Sequence, residues 1–193
     1  MRNLKNQVRS IGKLQTRADN NETDEMKIEG YFVIFNSETK LFENYYEEIS
    51  DKAFKDIDLT DIRALADHDT AKVLGRTKSQ TLSLSVDEKG LYGEITINKN
   101  DGEAVNLYER VKRGDIDQCS FGFNILDETM DTRADGSTKW TITEIELFEV
   151  SVVTFPAYAD TAVEARSEQM KQLEKRNLQK RKQQLKERIQ KWH

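Results

Sequence analysis

Cysteine, proline and histidine are nearly missing from this chain. Of 193 residues, one is cysteine, one is proline and two are histidine. A lone Cys119 cannot form an internal disulfide, and no Cys/His cluster has the spacing of a zinc site, so neither a disulfide scaffold nor a zinc-dependent fold is expected. No stretch approaches the roughly 18 apolar residues of a membrane span. No signal-peptide core follows the start, so a soluble, non-exported protein without membrane partners is expected. There is no glycine-rich phosphate loop and no dinucleotide fingerprint, hence no nucleotide cofactor is expected. With His193 at the end of a tail, His68 is the one histidine available as a proton shuttle.

Charge is abundant but unevenly placed. Residues 1–18 hold five basic residues and no acid, and residues 161–193 hold ten basic residues and four acids. The chain's net charge of −5 therefore leaves −16 on residues 19–160. An acidic body argues against nucleic acid as a specific partner, because phosphate contacts need a basic face.

The pattern divides the chain into a basic leader with a polar linker (residues 1–25), a body (26–160) and a basic tail (161–193). In the leader, Leu4, Val8, Ile11 and Leu14 form a weak helical stripe. Residues 26–35 read as a strand rich in β-branched and aromatic types. Residues 36–39 form a turn before a second strand at residues 45–49, and Ser50 or Asp51 caps a short helix. Residues 61–66 have strand alternation and lead into His68. Residues 72–77, 81–86 and 91–97 are further strands, with Leu82, Leu84 and Val86 on one buried face. Ala104, Leu107, Tyr108 and Val111 have helical spacing, with Asp101 as cap and Gly114 as stop. Residues 117–126 are a strand, 127–137 a loop and 138–154 a long or bent strand pair. From residue 160 onward the chain reads as a charged helix. The body is expected to be mainly β with a few helices (α+β), as an antiparallel barrel or sandwich.

A hydrolytic serine needs a base to take its proton and a third group to hold that base. His68, in Leu65-Ala66-Asp67-His68-Asp69-Thr70, is the candidate base, and its plain alternative is an idle turn histidine. In Gln118-Cys119-Ser120-Phe121-Gly122-Phe123, strand alternation points Ser120 and Gly122 one way and Cys119, Phe121 and Phe123 the other. Ser120 would face outward beside a residue without a side chain, leaving room for substrate, although any strand serine can be an ordinary wet-face residue. Cys119 is a rival nucleophile turned toward the core. The orienting acid should come from Glu144, Glu146 or Glu149, among which alternation alone does not choose. Asp67 and Asp69 sit beside His68 in sequence, where a strand would turn them away from its ring.

Four stretches together resemble the prohead (capsid-maturation) proteases of tailed phages. They are Ile28-Glu29-Gly30-Tyr31-Phe32-Val33-Ile34-Phe35 with Glu47-Glu48-Ile49-Ser50-Asp51-Lys52-Ala53-Phe54; Ala64-Leu65-Ala66-Asp67-His68-Asp69 with Val73-Leu74-Gly75-Arg76-Thr77; Cys119-Ser120-Phe121-Gly122-Phe123; and Leu147-Phe148-Glu149-Val150-Ser151-Val152-Val153-Thr154-Phe155-Pro156-Ala157. The resemblance spans roughly residues 26–160. It implies a β-barrel similar to that of the herpesvirus assembly proteases, and a serine endopeptidase with His68 as base and Ser120 as nucleophile. It puts Glu149, rather than Glu146, where the herpesvirus enzymes carry a second histidine. It points to Ala157 as an oxyanion-hole donor, since Pro156 has no N–H. It also implies major capsid and scaffold proteins as substrates, self-trimming, homo-oligomerisation as an option, and action inside the prohead in the host cytoplasm. The alternative is a non-catalytic capsid-assembly or scaffold protein that keeps the barrel. A third reading is a cysteine peptidase using Cys119.

Overall fold

The computed structural model describes residues 4–18 and 25–155, together with Lys175, Leu178, Gln179 and Lys182, which are helical. The rest of the expected C-terminal helix, and Ala157, lie outside the described residues. Chain packing separates a unit Met1–Tyr158 from a unit Ala159–His193.

The first unit is mainly β with one α-helix among the described residues. Ten strands follow in order: β1 (Leu4–Ala18), β2 (Met26–Ile34), β3 (Thr39–Phe42), β4 (Tyr45–Ile49), β5 (Arg63–Ala66), β6 (Asp69–Arg76), β7 (Leu82–Val86), β8 (Gly90–Thr96), β9 (Gln118–Thr132) and β10 (Thr138–Val153). Helix α1 (Gly102–Arg113) lies between β8 and β9. The sheet runs β3-β4-β10-β9-β1-β2-β8-β7, with β5 branching from β10 and β6 pairing β5. Among the described residues no ladder joins the ends of this path, so the expected barrel is not closed. Pairing is antiparallel except where β10 runs parallel to β4 and to β5.

Local chemistry accounts for most elements. In β8, Leu91, Gly93 and Ile95 are buried and alternate with Tyr92, Glu94 and Thr96, as a strand covered on one side requires. A register shift in β2 between Tyr31 and Val33 lets the consecutive Phe32 and Val33 both reach the core. Helix α1 starts where the Asp101 side chain accepts from the Glu103 and Ala104 amides. It stops where Gly114 adopts a left-handed φ of 84° and its N–H returns to the last turn. Ala104, Leu107, Tyr108 and Val111 are the buried stripe.

Four expectations need correction. The leader stripe is not helical: β1 is a strand paired on one side with β9 and on the other with β2. Leu4, Val8 and Leu14 are separated by even numbers, so the same spacing also suits one strand face. Register shifts between Leu4 and Gln7 and between Arg9 and Gly12 further blur the period. Residues 127–137 are not all loop. β9 continues to Thr132, and the turn is confined to the next few residues, where the Arg133 N–H donates to the Ser137 carbonyl. This arm is largely exposed and polar on both faces, which makes its sequence look like a loop. Strand β3, which the sequence hides in a polar segment, flanks β4. In β7 Leu82 is buried, Leu84 is half-buried and Val86 is exposed, because β7 ends the strand path and lifts off the core.

Candidate active site

The site forms where β5, β9 and β10 meet. Strand β5 lies parallel to the last third of β10, with Arg63 opposite Glu149 and Ala66 opposite Val152. Ala66 also pairs with Asp69, so Asp67-His68 is a two-residue hairpin turn. Both residues have left-handed φ values, 50° and 59°. That is the twist a tight hairpin prefers, and it usually recruits glycine or asparagine; a residue with a Cβ pays about 1 kcal/mol for it. Strain of this kind persists where the surroundings hold it. Here the Asp67 N–H donates to the Val152 carbonyl at 2.9 Å. The Asp67 carboxylate accepts from the Thr154 N–H at 2.7 Å and from the Thr154 hydroxyl at 3.2 Å. The turn is thus pinned to the end of β10. The expectation that Asp67 merely points away is corrected: it anchors the turn, because these residues form a turn and not a strand.

His68 Nδ1 lies 2.7 Å from Glu149 Oε1. A carboxylate can only accept, so this contact calls for the proton on Nδ1, and in a neutral ring that places the lone pair on Nε2. Nε2 is buried and has no hydrogen-bond partner among the described residues. Glu149 itself is buried, whereas Glu144 and Glu146 are exposed, and Glu146 accepts from the Asn124 side chain. The register shift between Leu147 and Glu149 on β10 sets Glu149 opposite Gly122 of β9. A Cβ on Gly122 would overlap Glu149 Oε1 and crowd the Phe148 ring, so glycine there makes room for the carboxylate. The space beside Ser120 is therefore filled by an acid and is not left open.

Ser120 pairs across the β9–β10 ladder with Ser151. Phe121 and Phe123 are fully buried on the opposite face, their rings stacked 4.7 Å apart. Ser120 is fully buried, not outward-facing, and its hydroxyl donates to the Arg9 carbonyl of β1 at 2.7 Å. β1 is the paired neighbour of β9 here, with Arg9 opposite Phe121 and a register shift between Arg9 and Gly12. Arg9 is in turn held by a bidentate, buried ion pair to Glu47 of β4. Cys119 faces the core, its thiol donating to the Tyr31 carbonyl.

Sequence reasoning missed Ser151. Its hydroxyl donates to Glu149 Oε2 at 2.6 Å. The signal was available: positions 149 and 151 are two apart on one strand and share a face. A cleft of about 410 Å³ lies beside the turn, lined by Asp67, Thr154, Leu74, Leu107 and Arg110 among others. A larger depression, near 810 Å³, lies along residues 143–147 of β10, and neither lining includes His68 or Ser120. No group of His, Cys, Asp and Glu among the described residues is arranged to hold a metal ion.

A histidine paired with a buried carboxylate, beside two serines on facing strands, is the equipment of acyl transfer. The family model for the caudovirus prohead serine proteases matches residues 12–176. The chain belongs to that family. Its members are serine peptidases by that description, so hydrolytic cleavage of peptide bonds in phage capsid maturation is the activity at family level. No curated protein and no solved structure matches the chain, and the likeness to the herpesvirus assembly proteases rests on the sequence resemblance alone. No helix among the described residues is long and apolar enough to cross a membrane.

Proposed function

We propose that this member of the family is the endopeptidase that cleaves major capsid and scaffold proteins, and its own ends, inside the prohead in the host cytoplasm. Residues 26–160 together with β1 form its catalytic body. Ser120 is the nucleophile, His68 the general base and Glu149 the orienting acid. The observation that carries this reading is the 2.7 Å His68–Glu149 contact with Nε2 left without a partner. That is the tautomer and orientation a general base needs.

The Ser120 hydroxyl leaves the Arg9 carbonyl, gives its proton to His68 Nε2 and attacks the peptide carbonyl. Glu149 stabilises the imidazolium. His68 then protonates the departing amine, the C–N bond breaks, and an acyl-enzyme remains on Ser120. Water, deprotonated by His68, attacks the acyl carbonyl; the ester bond to Ser120 breaks, His68 returns the proton to Ser120 Oγ, and the new carboxyl terminus leaves. Backbone N–H groups stabilise the oxyanion, and Ala157 is our candidate donor. The reaction as written requires neither metal nor organic cofactor. Substrates are proteins rather than nucleic acid, in keeping with the −16 charge of residues 19–160.

Co-expression with the capsid protein encoded by the same phage tests this reading. The expected result is cleavage by the wild type and none by Ser120→Ala. Persistent cleavage by Ser120→Ala overturns the nucleophile, and a loss confined to Cys119→Ser would transfer that role to Cys119. One observation favours the alternative, a non-catalytic capsid-assembly protein: the Ser120 hydroxyl is fully buried and bonded to a backbone carbonyl. A wild type that cleaves nothing supports that alternative.

A further inference from the structure

We propose that Ser151 is a positioning residue, whose hydroxyl locks the Glu149 carboxylate in the orientation that holds His68. This rests on the reading of Glu149 as the orienting acid. A carboxylate on a glutamate side chain can rotate about its last bond, and Oε1 faces His68 only if something fixes that rotation. Three features do so. Oε1 contacts His68 Nδ1 at 2.7 Å, and Oε2 accepts from Ser151 Oγ at 2.6 Å. The missing side chain at Gly122 gives the carboxylate its place, and a Cβ there would overlap Oε1. The Glu149 side chain is only 8% exposed, so water has little access to replace a lost donor.

The hydroxyl is fully buried, and its proton is committed to the carboxylate. Ser151 is also the ladder partner of Ser120, so nucleophile, orienting acid and carboxylate clamp share one strip of the β9–β10 sheet. Hydrogen bonds to charged groups are among the strong ones, and leaving a buried carboxylate oxygen without its donor is costly. Ser151 is not itself poised as a nucleophile: it faces a carboxylate, a far weaker base toward an alcohol than the imidazole.

The test follows phosphonylation of the full-length protein by a fluorophosphonate probe, in which the serine Oγ attacks phosphorus and fluoride leaves, with the modified serine located by peptide mass mapping. Ser151→Ala is expected to slow labelling of Ser120 roughly tenfold. In a Glu149→Ala background the same change is expected to alter the rate less than about twofold, since no carboxylate remains to be held. A purely structural serine would slow both backgrounds alike, and that result overturns the proposal. So does an unslowed Ser151→Ala, or an adduct on Ser151. Ser151→Thr, which keeps the hydroxyl, is expected to restore most of the rate. If Ser151→Ala folds poorly, Ser151→Cys keeps the volume with a weak donor and is expected to label at an intermediate rate; a rate equal to wild type overturns the proposal. A Glu149→Ala protein that labels as fast as wild type overturns the reading of Glu149 and the proposal with it. Equal slowing in both backgrounds overturns the role of Ser151 alone.

Discussion

Strand β10 behaves as two different strands. Over residues 138–142, beside β4, it alternates: Thr138, Trp140 and Ile142 are buried while Lys139 and Thr141 are half-buried. Lys139 there makes ion pairs to Glu48 and Glu38. Over residues 149–153, beside β5, every residue is buried. Val150 and Val152 join the hydrophobic core, while Glu149 and Ser151 face His68 and the site. In the first region, past the buried Thr138 where the strand begins, the polar Lys139 and Thr141 mark the wetter face. In the second, the polar residues lie under the β5–β6 hairpin, where a polar side chain persists only with a partner. A polar residue on a strand covered from both sides is therefore the one to suspect of chemistry.

The site half of β10 is most sensitive to Glu149→Gln. It keeps the size of the side chain but removes the charge, and we expect acylation of Ser120 to fall by about 10³–10⁴-fold, as for loss of an orienting carboxylate elsewhere. The melting temperature should change little by comparison; a rate within tenfold of wild type would contradict the assignment. At the other half, Trp140→Ala should act in the opposite sense. Trp140 is fully buried and stacks on Tyr45 at 5.7 Å. Its removal should cost about 3–5 kcal/mol of stability in a denaturant titration, with the labelling rate of the folded fraction nearly unchanged. Gly122→Ala should do some of both, because the new methyl pushes on Glu149 and Phe148. We expect about a hundredfold slower labelling and about 1–3 kcal/mol of destabilisation.

Asp67→Ala removes two bonds to Thr154 and loosens the strained turn. About a tenfold loss of rate is expected, against a smaller effect for Asp69→Ala, whose carboxylate accepts from the nearby Ala71 N–H and pairs with the exposed Lys72 ammonium, both within the hairpin. The smallest effect concerns the base of that hairpin, where Arg76 binds Asp61 and holds its carboxyl below the ordinary range, with Arg63 and Lys78 adding to it. A depressed folded-state value means the stabilisation is present above the ordinary carboxylate range and is lost as pH falls through the lowered value. Thermal melts below about pH 4 should therefore lose less stability in Arg76→Gln than in wild type. The difference should be slight and should shrink in salt, because the pair is exposed.

Legibility followed burial. The helix α1 was readable to its caps because Asp101, Gly114 and a four-residue apolar stripe all act within one element. Strand β8 was readable because its alternation faces a single core. β1 was not, since a strand paired on both sides and interrupted by register shifts carries no clean period. Nor was the outer arm of β9, whose exposed residues have no apolar face to announce it. At the site, His68 and Ser120 were legible as residue types, helped by the scarcity of histidine. The choice of Glu149 could come only from resemblance, because simple alternation has no means of showing the register shift before it. The anchoring role of Asp67 was hidden by a hairpin of two residues in left-handed conformation, neither of them the glycine or asparagine that usually signals it.

By itself the amino-acid order determined a mainly β body, one capped helix, the sole available imidazole and the run Glu149-Val150-Ser151-Val152-Val153, since these depend on contacts a few residues apart. Long-range folding was needed to set the Asp67-His68 turn against the end of β10, to let Gly122 make space for Glu149, and to bring the Arg9 carbonyl over Ser120. Each of those arises where strands distant in sequence meet in a register set by bulges, and a one-residue shift there changes which side chains share a face.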